Sequence, residues 1–185
     1  TDYNEKKNQI SNYIEIAAEL KEKINKRFSK YSDKTDKEDY DKWSEELGRT
    51  IEFGTFGENL TVAGIGDVNW VIGDRLMIND MELEITAPRV PCFKLAVRMG
   101  DSTFVKKFVQ ACRPGAYARV IKSGTLTVGD EITVHKTTEN YATVKEVFQE
   151  WHNKKKSAVM LEKALNSPIA SNHKQAIAEW YAELT

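Results

Sequence analysis

The 185-residue chain carries 27 Lys and Arg against 28 Asp and Glu, a net charge of −1, with 41% hydrophobic and 30% charged residues. That length buries an ordinary hydrophobic core, and the neutral balance lacks the basic excess that binding a nucleic acid polymer leaves in composition. No apolar run reaches the roughly 20 residues that cross a bilayer, so no membrane association is expected. The first residues are polar, without a charged-then-apolar leader, and the chain opens at Thr1 as a trimmed piece of a longer protein would. A soluble, cytoplasmic protein is the expectation. Cys92 and Cys112 form no C-x-x-C and have no nearby His, which indicates neither a zinc ligand set nor a disulfide framework.

All ten glycines fall between Gly48 and Gly129, and three of the four prolines lie there too. A breaker-rich centre between breaker-poor flanks reads as strands and loops between helices. In the first flank Ile10, Tyr13, Ile14, Ala17, Leu20, Ile24 and Phe28 recur at three- and four-residue steps and form one stripe of an amphipathic helix. Thr35 with Glu38 three residues on is a capping-box pattern; the helix it opens carries Tyr40, Trp43 and Leu47 on one side and stops at Gly48.

The centre alternates with period two. Leu76 and Ile78, a turn at Asn79-Asp80, then Met81, Leu83 and Ile85 read as a β-hairpin. Further strands are predicted at Leu60 to Ala63, Asn69 to Ile72, Ala116 to Ile121 and Glu131 to Val134, with Gly73-Asp74 and Gly129-Asp130 as turns. Short strands at this spacing predict a closed or nearly closed barrel. Phe104, Val105, Phe108 and Val109 place a short helix over Ser102 to Val109. After Val134 three more helices are predicted: one through Tyr141, Val144, Phe148 and Trp151, one through Leu161 and Leu165 ended by Pro168, and one through Ile177, Trp180, Tyr181 and Leu184. The Lys154 to Lys156 run between the first two reads as a solvated loop. The fold class is therefore α+β, with a helical segment at 1–47, a barrel at 48–135 and a three-helix unit at 136–185.

Two loops carry the residues suited to chemistry. In Pro88-Arg89-Val90-Pro91-Cys92-Phe93-Lys94-Leu95, the prolines stiffen the segment and present Cys92 where it cannot fold away into a helix. Arg89 and Lys94 flank the thiol, and neighbouring cations favour the thiolate that binds metal or attacks. A lone cysteine is ordinarily a small buried hydrophobe, and that reading is kept for Cys112. In Gly54-Thr55-Phe56-Gly57-Glu58-Asn59-Leu60, the glycines bare backbone N–H groups and Asn59 offers an amide, although two glycines also suit an ordinary turn. Six of the seven arginines (Arg49, Arg75, Arg89, Arg98, Arg113 and Arg119) lie in this central zone, and arginine is the better fork for phosphate oxygens. His135, His152 and His173 are scattered outside both loops and read as surface or helix-end histidines, with no general base suggested.

Taken in order, Phe56-Gly57-Glu58-Asn59-Leu60-Thr61-Val62, Ile72-Gly73-Asp74, Pro88-Arg89-x-Pro91-Cys92-x-Lys94-Leu95 and Gly115-x-x-x-Arg119-Val120 resemble the MOSC family, named for the C-terminal part of molybdenum cofactor sulfurase. The likeness is to its hydroxylaminopurine-reductase-like branch, whose three-helix extension the C-terminal helices resemble. Residues 1–47 contain no glycine and no histidine, so the Gly-x-x-Gly-Asp turn and His-Gly-Gly loop of that family are absent from them. The resemblance implies a β-barrel binding a pyranopterin molybdenum cofactor. Cys92 would be the catalytic residue and metal ligand, and Gly57, Glu58, Asn59, Arg89, Lys94 and Arg119 would bind the cofactor. The implied reaction is reduction of small N-hydroxylated bases or related compounds, with electrons from an external reductase or flavoprotein; homodimerisation stays open. Two competing readings are a sulfur carrier with a persulfide on Cys92 and a non-catalytic binding module.

Overall fold

The computed structural model describes residues 38–64 and 69–185. The predicted helix from Ile10 to Phe28 and the cap residue Thr35 lie outside the described residues. Within them the chain runs α1 (Glu38–Leu47), β1 (Arg75–Ile78), β2 (Met81–Pro88), α2 (Phe93–Met99), α3 (Phe104–Ala111), β3 (Ala116–Lys122), β4 (Thr133–His135), α4 (Val144–His152), α5 (Ala158–Leu165) and α6 (Ser171–Ala182). None of these helices is long and apolar enough to cross a membrane.

The strands form one antiparallel sheet in the order β3-β2-β1-β4. The β1–β2 hairpin turns tightly at Asn79-Asp80, with Ile78 opposite Met81 and Leu76 opposite Leu83. Asn79 takes a left-handed φ of 50°, a conformation Asn tolerates in such turns. Gly124 is fixed by space instead: a Cβ there would lie 2.8 Å from the Met81 nitrogen.

The predicted closed barrel is not what the described strands build. Leu60 to Ala63 is irregular, and Asn69 to Ile72 makes only an isolated bridge, Val71 to Thr143, flanked by hydrogen bonds from Ile72 N–H to Ala142 O (3.0 Å) and Val144 N–H to Trp70 O (2.8 Å). Among the described residues no strand pairs with the outer edge of β3, whose seven residues are all exposed, with Val120 at 56%. Two register irregularities against β2, at Glu82/Leu83 and Ile85/Ala87, and the edge residue Lys122 interrupt this strand as a template for further pairing.

Two apolar clusters hold the elements together. In the first, Leu76, Ile78, Leu83, Ile85 and Ala87 from the hairpin pack with Val144, Val147, Leu161, Ile169 and Ile177 from the C-terminal helices. In the second, Tyr40, Trp43, Leu95, Met99, Phe104 and Phe108 gather with Phe148. Helix α4 serves both, because Val144 and Val147 face one cluster and Phe148 the other. Its start is a capping box: Thr143 Oγ1 accepts the Glu146 N–H (3.0 Å) and Glu146 Oε2 accepts the Thr143 N–H (2.7 Å).

The Lys154 to Lys156 run is not uniformly solvated. Lys156 is half-buried, donating to the carbonyls of Glu150 (2.7 Å), Trp151 (3.0 Å) and Asn153 (2.9 Å) at the end of α4, with its ammonium 4.1 Å from the Trp180 ring centroid. It satisfies carbonyls that a helix C-terminus leaves without intrahelical donors.

Burial lowers His152 and His173 from the ordinary histidine value of 6.5; Lys156 adds to the lowering at His152, while the Pro88 backbone opposes it at His173. Their neutral forms suit the fold, and the unfolded chain takes up protons first as pH falls. The associated stability is therefore complete above pH 6.5 and lost as pH drops through the lowered folded values. Thermal melts from pH 7.5 down to pH 5 should show the melting temperature falling, and His152→Gln with His173→Gln should flatten that slope.

Candidate functional site

The segment from Pro88 to Cys92 leaves the sheet where β2 ends. Pro88 pairs with Ala116 of β3, and the Arg89 N–H donates to Gly115 O (3.3 Å). Pro91 is buried, and Cys92 follows it exposed and extended (φ −127°, ψ 173°) as the N-cap residue of α2. Cys92 itself is thus extended, as the proline pair led us to expect, while the helix that begins one residue later was not among the predicted elements. Proline restricts the residues at and before it but not the breaker-free run Phe93–Met99, which forms α2. Leu95, Ala96 and Met99 anchor that helix in the aromatic cluster, while Phe93 (72% exposed), Lys94, Val97 (75% exposed) and Arg98 face outward.

The glycine loop lies beside it. Gly54 and Gly57 both adopt left-handed backbone (φ 78° and 80°), and the Gly57 N–H donates to Gly54 O (3.0 Å). Arg98 Nη2 donates to the same carbonyl (2.7 Å), tying α2 to the loop. A Cβ on Gly57 would sit 3.8 Å from Arg89 Nη2, so the guanidinium stands beside a bare stretch of backbone.

Glu58 closes the loop onto α1. Its Oε1 accepts the Tyr40 hydroxyl, the Gly54 N–H (2.8 Å) and, more weakly, the Thr61 hydroxyl (3.4 Å); its Oε2 is buried and has no hydrogen-bond partner among the described residues. Burial first, and then Glu58, raise the Tyr40 phenol well above its ordinary range.

Of the sequence-predicted residues, the structure brings Gly57 and Arg89 together, with Glu58 beside Gly57 turned onto Tyr40 and Gly54, and places exposed Cys92 and Lys94 on the segment that follows Arg89; Asn59 is exposed on the loop. Arg119 is held elsewhere, its Nε on Glu84 and its Nη2 on the Pro168 carbonyl (2.7 Å). Cys112 ends α3 in a left-handed conformation and packs against the aromatic cluster.

The central arginines sort by partner. Arg49 binds Met99 O; Arg75 binds Glu82 and Glu84; Arg98 binds Gly54 O; Arg113 binds Glu46 and lies over the Trp43 ring; Arg119 binds Glu84. Arg89 alone of the six has a guanidinium with no ion pair or hydrogen bond to any described residue. Sequence reasoning missed Tyr40 as a site residue, because its place on an apolar helical stripe accounts for the ring and says nothing of the hydroxyl.

The sequence model of the MOSC domain family matches residues 34–133. Uncharacterized protein YflK of Bacillus subtilis (strain 168) is 31% identical over 134 residues, 72% of this chain and 61% of YflK, so the match spans about three fifths of that relative. A protein named Reductase from Gibberella moniliformis (strain M3125 / FGSC 7600) is 37% identical over 84 residues, 45% of this chain but 15% of its own length. Among solved structures, YiiM from Geobacillus stearothermophilus superposes with a TM-score of 0.73 at 21% identity, covering 80% of this chain and 76% of that one. YiiM from Escherichia coli superposes at 0.72 and 19% identity, covering 82% and 77%. At these identities the structures speak for the fold, while the family match spans more than half of the sequence: the chain belongs to the MOSC domain family.

Proposed function

We propose that the chain binds a pyranopterin molybdenum cofactor at the Cys92 segment and acts as an oxidoreductase on small N-hydroxylated bases or related compounds, with an external reductase or flavoprotein as electron donor. The observation that carries this reading is Arg89, the one central arginine whose guanidinium has no partner among the described residues, standing next to the bare backbone at Gly57. A half-buried guanidinium that no described residue engages is a fork for phosphate oxygens.

The residues present fit such a group. The exposed Cys92 sulfur is a soft ligand of the type that suits the metal. Glu58 Oε2 is an unspent buried acceptor, and a pterin ring carries the N–H donors that would satisfy it. Lys94, exposed two residues beyond Cys92, adds positive charge near the anionic ligand. When bound, the cofactor supplies two-electron removal of oxygen from an N–O bond. The chain's own part is to ligate, to neutralise the phosphate and to leave the Cys92 side open to substrate.

Molybdenum and pterin content of protein purified from a cofactor-producing host tests this directly. Wild type should carry both, and Cys92→Ala should lose at least about tenfold of each, since even indirect supports of a metal site cost that much. Equal content in both proteins overturns the proposal. A sulfur carrier would instead show persulfide on Cys92 without stoichiometric molybdenum.

A further inference from the structure

The Gly54–Leu60 loop belongs to no strand, and its two left-handed glycines give it little stiffness of its own. Side-chain contacts hold it: Arg98 on the Gly54 carbonyl from α2, and from α1 a set that converges on Glu58. The Tyr40 hydroxyl donates to Glu58 Oε1 and accepts the Gly54 N–H (2.9 Å), while that same N–H reaches Glu58 Oε1 at 2.8 Å. The Tyr40 ring is itself fixed, buried in α1 with Phe53 and Phe56 edge-on at 4.9 and 5.3 Å. A rigid helix thereby reaches a polar anchor into a soft loop in which Gly57, the residue just before Glu58, abuts Arg89.

We infer that Tyr40 is a positioning residue: acting through Glu58, its hydroxyl sets the conformation of the Gly54–Leu60 loop and with it the placement of Gly57 against Arg89. What the loop then holds rests on the proposed cofactor reading; the positioning itself does not. Tyr40→Phe is the clean variant, because it keeps the ring between Phe53 and Phe56 and removes one oxygen.

Hydrogen–deuterium exchange on the full chain reads the first half. Amides of residues 54–60 should exchange about tenfold faster in Tyr40→Phe, the order expected for loss of a hydrogen bond to a charged group, with the β1–β2 hairpin unchanged. Phe148→Leu is the stability control: it weakens the aromatic cluster away from the hydroxyl and should not single out the loop. Adding Glu58→Gln to Tyr40→Phe should change little beyond the larger single effect, as for groups acting in series. Unchanged loop exchange, or fully additive variants, overturns the inference. Pterin content reads the second half: Tyr40→Phe should retain several-fold less than wild type, while Phe148→Leu retains its share. Full retention on a loosened loop overturns the role in ligand placement. Wild type without pterin would sink the proposed function and leave exchange to decide the positioning.

Discussion

Replacing Asp74 with alanine is expected to lower the unfolding free energy by about 2–4 kcal/mol, from two backbone N–H donors left without acceptors at roughly 1–3 kcal/mol each. Asp74 is fully buried just beyond the Gly73 turn. Its Oδ2 accepts the Val71 N–H (2.9 Å) and the Lys136 ammonium (2.7 Å), and its Oδ1 accepts the Thr137 N–H (3.0 Å). One carboxylate thus joins the strand-like stretch before β1 to the segment after β4. Lys136 is half exposed and 4.9 Å from the Trp70 ring centroid, so its charge finds water when the carboxylate is removed, and the cost lies mainly with the two amides. Asp74→Asn keeps one acceptor and should lose about half as much. Urea denaturation followed by circular dichroism measures both; an alanine variant within 0.5 kcal/mol of wild type would contradict this account.

Phe104→Ala should be the more damaging change, at about 3–5 kcal/mol, the usual cost of deleting a buried phenyl ring. Phe104 is fully buried, with the rings of Trp43, Phe56 and Phe108 at 5.2, 6.3 and 6.4 Å. Against a typical total of about 5–15 kcal/mol, that leaves a marginal protein. The loss also reaches the candidate site, because Leu95, Ala96 and Met99, the residues that seat α2 behind Cys92, pack in the same cluster. Phe93→Ala, on the outward face of that helix at 72% exposure, should change stability by no more than about 0.5 kcal/mol. The pair of variants, compared by denaturant titration, separates apolar area that supports the fold from apolar area that does not.

How far the sequence revealed this protein depended on the range of the interaction involved. The β1–β2 hairpin was legible because alternation and the Asn79-Asp80 turn are local signals, and the end of α1 at Gly48 was legible for the same reason: the glycine takes φ 62°. Barrel closure was not, since it requires partners for β3 and for Leu60 to Ala63 that no run of neighbouring residues specifies. The arginine cluster pointed toward anions, yet Arg113 reaches back to Glu46 and Arg119 to Glu84 and Pro168, pairings across long stretches of chain. At the candidate site, both loops stood out by composition. Their adjacency, through Arg98 on Gly54 and Arg89 beside Gly57, is a property of the folded chain.

Helix α4 lends Val144 and Val147 to one apolar cluster and Phe148 to the other. Neither cluster can come apart while its neighbour stays intact, because doing so would strip one side of a helix that the other still holds. The hairpin region and the aromatic region are thus bound into a single cooperative melting unit, and harm done to the C-terminal helices is felt at the floor beneath Cys92.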